Sequence, residues 1–248
     1  MFEFYSVGGI VRDDLLGRPS ADLDVCAVPV EAGTLSTVTL FKYLSDHVRD
    51  LGFAVFDEQL QFFTIRGTHS GDVKGFEGFP QVDFVMARKD GPSSDGRHPD
   101  YVLPGTLLDD LSRRDFTVNA MARNFQTGEL VDPFGGAEDL RAGIIKFVGD
   151  PIQRIKEDGL RVMRALRFCV THNMKLHPDT RAAIDSDVAI GMLLRVNPNR
   201  IFNEVKKMFD ADFIAAMDFL AGESDQHKVA IFRDNLRITP SMKKAPGQ

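Results

Sequence analysis

The chain has 248 residues, 43% hydrophobic and 27% charged, with a formal charge of −6. That length holds one large domain or two modest ones, and the composition is that of an ordinary soluble globular protein. No run of about 18 apolar residues is present and the start lacks a charged leader, which argues against a membrane or secretory route. The acidic balance argues against a protein that coats nucleic acid, yet leaves room for a local basic groove, because steering depends on where charge sits. Cys26 and Cys169 lie far apart among apolar neighbours. They fit buried thiols of a reducing cytoplasmic compartment rather than a disulfide framework or a zinc site.

In chain order, residues 4–7 form a short strand that stops at Gly8-Gly9, and residues 10–17 form a helix closed by Gly17-Arg18-Pro19. Strand, Gly-Gly and helix can present bare backbone N–H groups to an anion, with Arg12 as an added clamp; a plain tight turn is the alternative. Asp22-Leu23-Asp24 then opens the strand Val25-Cys26-Ala27-Val28. Residues i and i+2 of a strand share a face, so the two carboxylates crowd one side. A divalent cation relieves that crowding, and Mg²⁺ is commonly held by one or two carboxylates together with substrate phosphates. The bland alternative is a solvated turn or an N-cap.

Residues 34–50 read as a helix, 53–56 and 62–66 as strands, and 67–78 as a glycine-rich loop. Asp83 stands alone in the apolar strand 81–88. It is either a third acidic group beside Asp22 and Asp24, serving as metal ligand or general base, or a charged residue of an edge strand. Residues 89–106 carry three prolines and three glycines and read as a long mobile loop. Arg113-Arg114-Asp115 follows at the mouth of a buried element, and a short amphipathic helix and a strand at 144–148 finish the mixed part.

From Pro151 the pattern turns helical, with Leu160, Met163, Leu166 and Val170 as an apolar stripe. Asp158, Arg161, Arg164 and Arg167 form a second row at i, i+3 steps. Asp158 can pair with Arg161, but Arg164 and Arg167 are then like-charged neighbours, each such contact costing roughly 0.2–0.5 kcal/mol. A triphosphate and a base edge would use such a row, since Arg donates paired hydrogen bonds and Asp accepts from an exocyclic amine. Helices at 178–194, 198–209, 211–221 and 226–236 precede a polar tail.

Four blocks stand in order over residues 4 to 209: Gly8-Gly9-x-x-Arg12-Asp13 with Asp22-x-Asp24; Arg113-Arg114-Asp115-Phe116-Thr117-Val118-Asn119-Ala120; Asp132-Pro133-Phe134-Gly135-Gly136; and Glu157-Asp158-x-x-Arg161-x-x-Arg164-x-x-Arg167-Phe168. Together they resemble the class II tRNA nucleotidyltransferase and bacterial poly(A) polymerase family. The resemblance implies an α/β plus all-α fold. A nucleotidyltransferase-type mixed β-sheet head with flanking helices spans residues 1–149, and a helical neck and body spans 150–248. It implies template-independent transfer of CMP and AMP from CTP and ATP to an RNA 3′ end, that of tRNA above all. Two Mg²⁺ ions would be held by Asp22 and Asp24, with Asp83 assisting the nucleophile. Gly8, Gly9 and Arg12 would position the triphosphate, Asp158 and Arg161 would read the base, and Arg114, Arg164 and Arg167 would bind phosphate or shape the pocket. Asp95-Gly96-Arg97-His98-Pro99 resembles the loop that in the family supports the switch from C to A addition.

Two departures stand out. Gly159 replaces a common proline, a mild change at a helix start, and the chain has little room for the regions that grip tRNA. Poly(A) addition, a minimal enzyme adding part of C-C-A, and a non-catalytic RNA- or nucleotide-binding module are the competing expectations. The enzyme reading requires the paired aspartates and the arginine-lined helix to serve one nucleotide.

Overall fold

The computed structural model describes residues 2–20, 22–30, 35–71 and 73–232. Strand β1 (Phe2–Val7) ends at Gly8, whose φ of 78° suits glycine, and the chain turns into α1 (Gly9–Leu15). Strand β2 (Leu23–Pro29) buries Val25, Cys26 and Ala27 completely, so both its faces are covered beyond the exposed Asp24. Ser36 caps α2 (Thr37–Asp50) by accepting from Thr39 N, and Leu40, Phe41, Leu44 and Val48 form its buried stripe. Thr34, expected at the start of this helix, lies outside the described residues. Next come β3 (Ala54–Gln59), β4 (Thr64–Thr68) and β5 (Gln81–Met86).

The segment expected to be a mobile loop instead contains β6 (Arg88–Asp90) and β7 (Val102–Pro104), an antiparallel pair that ties its ends together. Within it, Asp95 accepts from the backbone of Arg97 and His98 and from His98 Nδ1, while Ser93 Oγ donates to the Glu157 carbonyl. The loop is therefore fastened to the helical part. A reciprocal capping box of Thr106 and Asp109 then starts α3 (Leu107–Ser112). It leads through a short 3₁₀ turn (Thr117–Asn119) to β8 (Ala122–Asn124), β9 (Leu130–Val131) and α4 (Gly136–Ala142).

Seven strands make one sheet in the order β3-β4-β5-β2-β1-β8-β9. β2 and β5 are parallel neighbours and the other pairs are antiparallel. Asp83 is thus on an interior strand, because β4 pairs with the far side of β5, and the edge-strand alternative is set aside. The strand expected at 144–148 is shortened to β10 (Ile144–Ile145), and it does not join this sheet. It pairs in parallel with β11 (Lys175–Leu176) from the helical part.

That part comprises α5 (Pro151–Glu157), α6 (Leu160–Thr171), α7 (Pro178–Ile184), α8 (Asp187–Arg195), α9 (Pro198–Ala211), α10 (Phe213–Gly222) and α11 (Asp225–Phe232). Pro151, Pro178 and Pro198 each sit in a first turn, where the missing N–H costs nothing. The single helix expected at 178–194 breaks at Asp185 and Ser186, and Ser186 caps the second piece. The helical pattern expected from Pro151 onward is interrupted at an extended Asp158 and at Gly159. A Cβ on Gly159 would stand 2.5 Å from the Met192 carbonyl oxygen. Glycine here lets α8 pack directly on the start of α6, so its presence is a steric requirement rather than a mild change. One buried cluster runs from Val11, Phe116, Val118 and Met121 through α5 to α11, so head and helical part share a core. The last of the expected helices is described only to Phe232, and the polar tail lies outside the described residues.

The α11 end is held by ionised groups. Glu223 accepts two bonds from Arg181 (2.8 and 3.2 Å) and one from His227 Nδ1 (2.8 Å), while His227 Nε2 faces the Ile184 carbonyl at 2.9 Å. Both ring nitrogens meet acceptors, which the imidazolium alone satisfies. Burial by itself would lower the His227 pKa, but the Glu223 and Ile184 bonds outweigh it and hold the value above the ordinary one. Burial likewise raises the Glu223 pKa, and His227 and Arg181 more than reverse it. A histidine with a raised folded pKa contributes fully below its unfolded value of roughly 6.5, and that contribution is lost as pH rises through the folded value. Amide exchange across residues 225–232 should therefore show a falling opening free energy from pH 6 to pH 9, by roughly 1.5–3 kcal/mol for one charge-assisted bond. His227→Gln should flatten that slope. An unchanged slope in the variant would remove His227 as its source.

Candidate active site

Two neighbouring strands and one glycine turn build the floor. Leu23 is buried, so Asp22 and Asp24 on either side of it both face solvent on the same side. The parallel register sets Asp83 directly opposite Asp24. Asp22, Asp24, Asp83, Pro80 and Gln81 line a cavity of about 410 Å³. Asp83 accepts from Arg66 Nε at 3.2 Å, and Arg66 also reaches Asp57 at 3.7 Å. Partial desolvation lifts the Asp24 carboxyl pKa, Arg114 pulls against it, and Asp83 and Asp22 add to the rise. The floor is thus an all-oxygen, anion-crowded donor set.

Gly8 joins this floor to the Arg-Arg-Asp block. A Cβ on Gly8 would lie 2.8 Å from Arg114 Nη1 and 3.9 Å from Asp24 Oδ2, so only a bare backbone passes between them. Arg114 donates from Nη2 to Asp110 at 3.0 Å, and its Nε is buried with no hydrogen-bond partner. Gly8 and Asp24, from the two halves of the first block, meet Arg114 of the second at one point.

The acidic floor suits a hard cation in one respect and not in another. Two exposed carboxylates on one face fit Mg²⁺, which leaves most of its coordination to water and phosphate. A cage of three is not assembled: among the described residues, the one group of three whose ligand atoms all lie within 4.8 Å of one another is Asp185, Glu223 and His227. There the Arg181 guanidinium already supplies the positive charge, bonding both Glu223 and Asp185.

A second cavity, of about 350 Å³, is lined by Arg88, Lys89, Asp90, Arg97, Arg113, Arg154, Glu157, Asp158 and Arg161, among others. Its members Asp158 and Arg161 do not pair. Arg161 donates to Glu157 (2.8 Å) and to the Arg113 carbonyl (2.8 Å), while Arg200 holds Asp158 with two bonds of 3.3 and 2.8 Å. The expectation of an uncompensated arginine row fails for a physical reason. Arg164 is neutralised by Asp115 (2.7 Å) and Arg167 by Glu204 (2.5 Å), both from outside the helix. Arg12 is turned inward as well. It is buried against the Phe168 ring and gives its donors to Asp13 and to Asn119 Oδ1 (2.6 Å), so it clamps α1 to the Arg-Arg-Asp block. Gly9 lies beside that Arg12 guanidinium.

The aspartates and the arginine-lined helix therefore face two cavities with no shared lining residue. Arg113 lines the second cavity, and the next residue in the chain, Arg114, lies beside Asp24 of the first. Arg113, quoted within its block but given no role, and Asp110, Arg200 and Glu204, which were not singled out from sequence, carry this arrangement. Only Asp110 had a local signature, lying three and four residues before the two arginines on a helix.

The model of the poly(A) polymerase head domain matches residues 4–146, more than half of the chain. The chain belongs to the poly(A) polymerase head-domain family. It is 37% identical over 215 residues to the CCA-adding enzyme of Anoxybacillus flavithermus, covering 86% of this chain and 48% of that relative. Among solved structures it is similar to the Bacillus stearothermophilus CCA-adding enzyme in complex with CTP, with a TM-score of 0.69, 31% identity, and coverage of 89% of this chain and 48% of that one. It is also similar to a tRNA nucleotidyltransferase complexed with a primer tRNA and an incoming ATP analog, with a TM-score of 0.68, 30% identity, and coverage of 95% and 60%. The chain spans about half the length of the curated relatives it matches. The blocks from Gly8 to Gly136 lie within the matched residues, and the block on α6 lies beyond them.

Proposed function

We propose that this protein is a template-independent RNA nucleotidyltransferase that adds CMP and AMP from CTP and ATP to an RNA 3′ end, that of tRNA foremost. The observation that carries the reading is the convergence of Gly8, Asp24 and Arg114 above the acidic floor. The RNA 3′-hydroxyl attacks the α-phosphate, the bond to the β-phosphate breaks, and pyrophosphate leaves. Two Mg²⁺ ions, held by Asp22 and Asp24, would supply activation of the hydroxyl and charge stabilisation at the leaving oxygens. Arg114, with its unpartnered Nε, supplies fixed positive charge for the phosphates, and the bare backbone at Gly8 lets them approach. Asp83, bonded by Arg66 and opposite Asp24 in the register, would assist the nucleophile. Asp158 and Arg161 line the second cavity, which suits the base edge, with their orientation set by Arg200 and Glu157. Buried Arg12 and half-buried Arg164 and Arg167, each paired, would act from behind as supports. The free thiols Cys26 and Cys169 agree with a cytoplasmic setting, and none of the described helices is long and apolar enough to cross a membrane.

A second reading, poly(A) addition, is favoured by the head-domain match, and partial C or A addition is the third outcome to be told apart. Incubation with Mg²⁺, all four nucleotides and total RNA, followed by 3′-end sequencing, separates them. The expected product is tRNA ending in C-C-A. A homopolymer ladder would point to poly(A) addition, a shorter stop to a partial enzyme, and binding without incorporation to a non-catalytic module.

A further inference from the structure

Asp110 lies on α3 one turn before the arginine pair, and its carboxylate is wholly buried. Oδ1 accepts from Arg113 Nε (3.1 Å) and Nη2 (2.6 Å), and Oδ2 accepts from Arg114 Nη2 (3.0 Å). Each guanidinium belongs to a different wall. Arg113 lines the cavity of Asp158 and Arg161, and its carbonyl receives Arg161 Nη2 at 2.8 Å. Arg114 lies over Gly8, next to Asp24. Two arginines on successive residues repel each other, and a shared buried anion is what holds both in fixed rotamers. Nor is Asp110 needed to start its helix. The reciprocal cap of α3 is made by Thr106 and Asp109, which leaves Asp110 to the two arginines.

We infer that Asp110 is a positioning residue that couples the two cavities, fixing Arg113 in the wall that faces the base and Arg114 in the wall that faces the phosphates. This rests on the nucleotidyltransferase reading and deepens it. Asparagine has the same shape but one acceptor oxygen, so its amide must face one of the two guanidinia and displace it. Asp110→Asn should therefore raise the KM for CTP and lower kcat together, reducing kcat/KM by about 30- to 100-fold. Part of the effect should pass through Arg114 and the rest through Arg113: the combined loss in Asp110→Asn with Arg114→Gln should fall short of the product of the two single losses by more than threefold. A structural role would not give that non-additivity.

Wild-type kinetics in Asp110→Asn, or full additivity with Arg114→Gln, would overturn the inference. Should Asp110→Asn melt below the assay temperature, Arg113→Gln, Arg114→Gln and their combination carry the same test. Coupling between them of more than threefold supports the shared anion, and independence overturns it. If the wild-type protein incorporates nothing, it is the nucleotidyltransferase reading that fails. CTP affinity by equilibrium dialysis then decides on Asp110: about tenfold weaker binding in Asp110→Asn supports it and equal binding overturns it.

Discussion

Asp24→Asn is expected to cut nucleotide incorporation at least about 10³-fold while leaving the protein as heat-stable as before, or slightly more so. The first half follows from removing a fixed charge at the centre of the acidic floor, where a single misplaced electrostatic group costs roughly 10²–10³ in rate and a lost cation ligand costs more. The second half follows from the crowding. Desolvation, Asp83 and Asp22 raise the Asp24 pKa, with only Arg114 opposing them. A carboxylate whose folded pKa exceeds its unfolded one makes folding less favourable once both forms are ionised, so neutralising it relieves strain at pH 7. Asp24 is open to solvent, which screens the effect, and a rise in Tm of roughly 1–3 °C is the scale for a chain of this size. Activity and stability thus move in opposite directions, as expected of a group kept for function. Primer extension with Mg²⁺ added and thermal denaturation without it, both from one preparation, check the two halves. Incorporation at the wild-type rate would remove Asp24 from the site, and a loss of stability would show that it is structural.

The features that local rules govern were legible in the sequence. Asp22 and Asp24 flank the buried Leu23 as an i, i+2 pair must, and Leu160, Met163 and Leu166 turn inward as a helical stripe must. What the sequence hid is non-local. Arg164 and Arg167 looked like a free cationic row because their partners, Asp115 and Glu204, lie 49 and 37 residues away. Asp83 looked compatible with an edge because nothing local says that β4 returns to pair beside it. Residues 89–106 looked mobile from their glycines and prolines, yet β6 and β7 pair across them and Ser93 reaches the Glu157 carbonyl, 64 residues on. β10 likewise found its partner strand in the helical part. The same holds at the site, where the sequence located the groups and the fold decided which of them stay free.

Asp115 carries the largest expected loss of stability. Only 7% exposed, it accepts from Phe116 N (2.8 Å), Asn119 Nδ2 (3.0 Å) and Arg164 Nε (2.7 Å). Asn119 in turn accepts from Arg12, so this one carboxylate links α6, the Arg-Arg-Asp block and α1. Burial raises its pKa, but Arg164 above all, then Asn119, hold it well below the ordinary carboxylate range. For a depressed carboxylate the contribution is complete above the unfolded pKa of roughly 3.9 and fades only as pH falls below that. Asp115→Ala strands the Arg164 charge and the Phe116 N–H, so roughly 3–5 kcal/mol should be lost at neutral pH, a Tm drop on the order of 10 °C. The deficit belongs to the stranded charge rather than to the ion pair as such. Asp115→Ala combined with Arg164→Met should therefore recover part of it, since an apolar replacement of both partners is often close to neutral. Chemical denaturation of the wild type, both single variants and the double variant decides this. Additive losses would mean that the pair is not coupled, and that the block is held by its apolar neighbours Phe116 and Val118 alone.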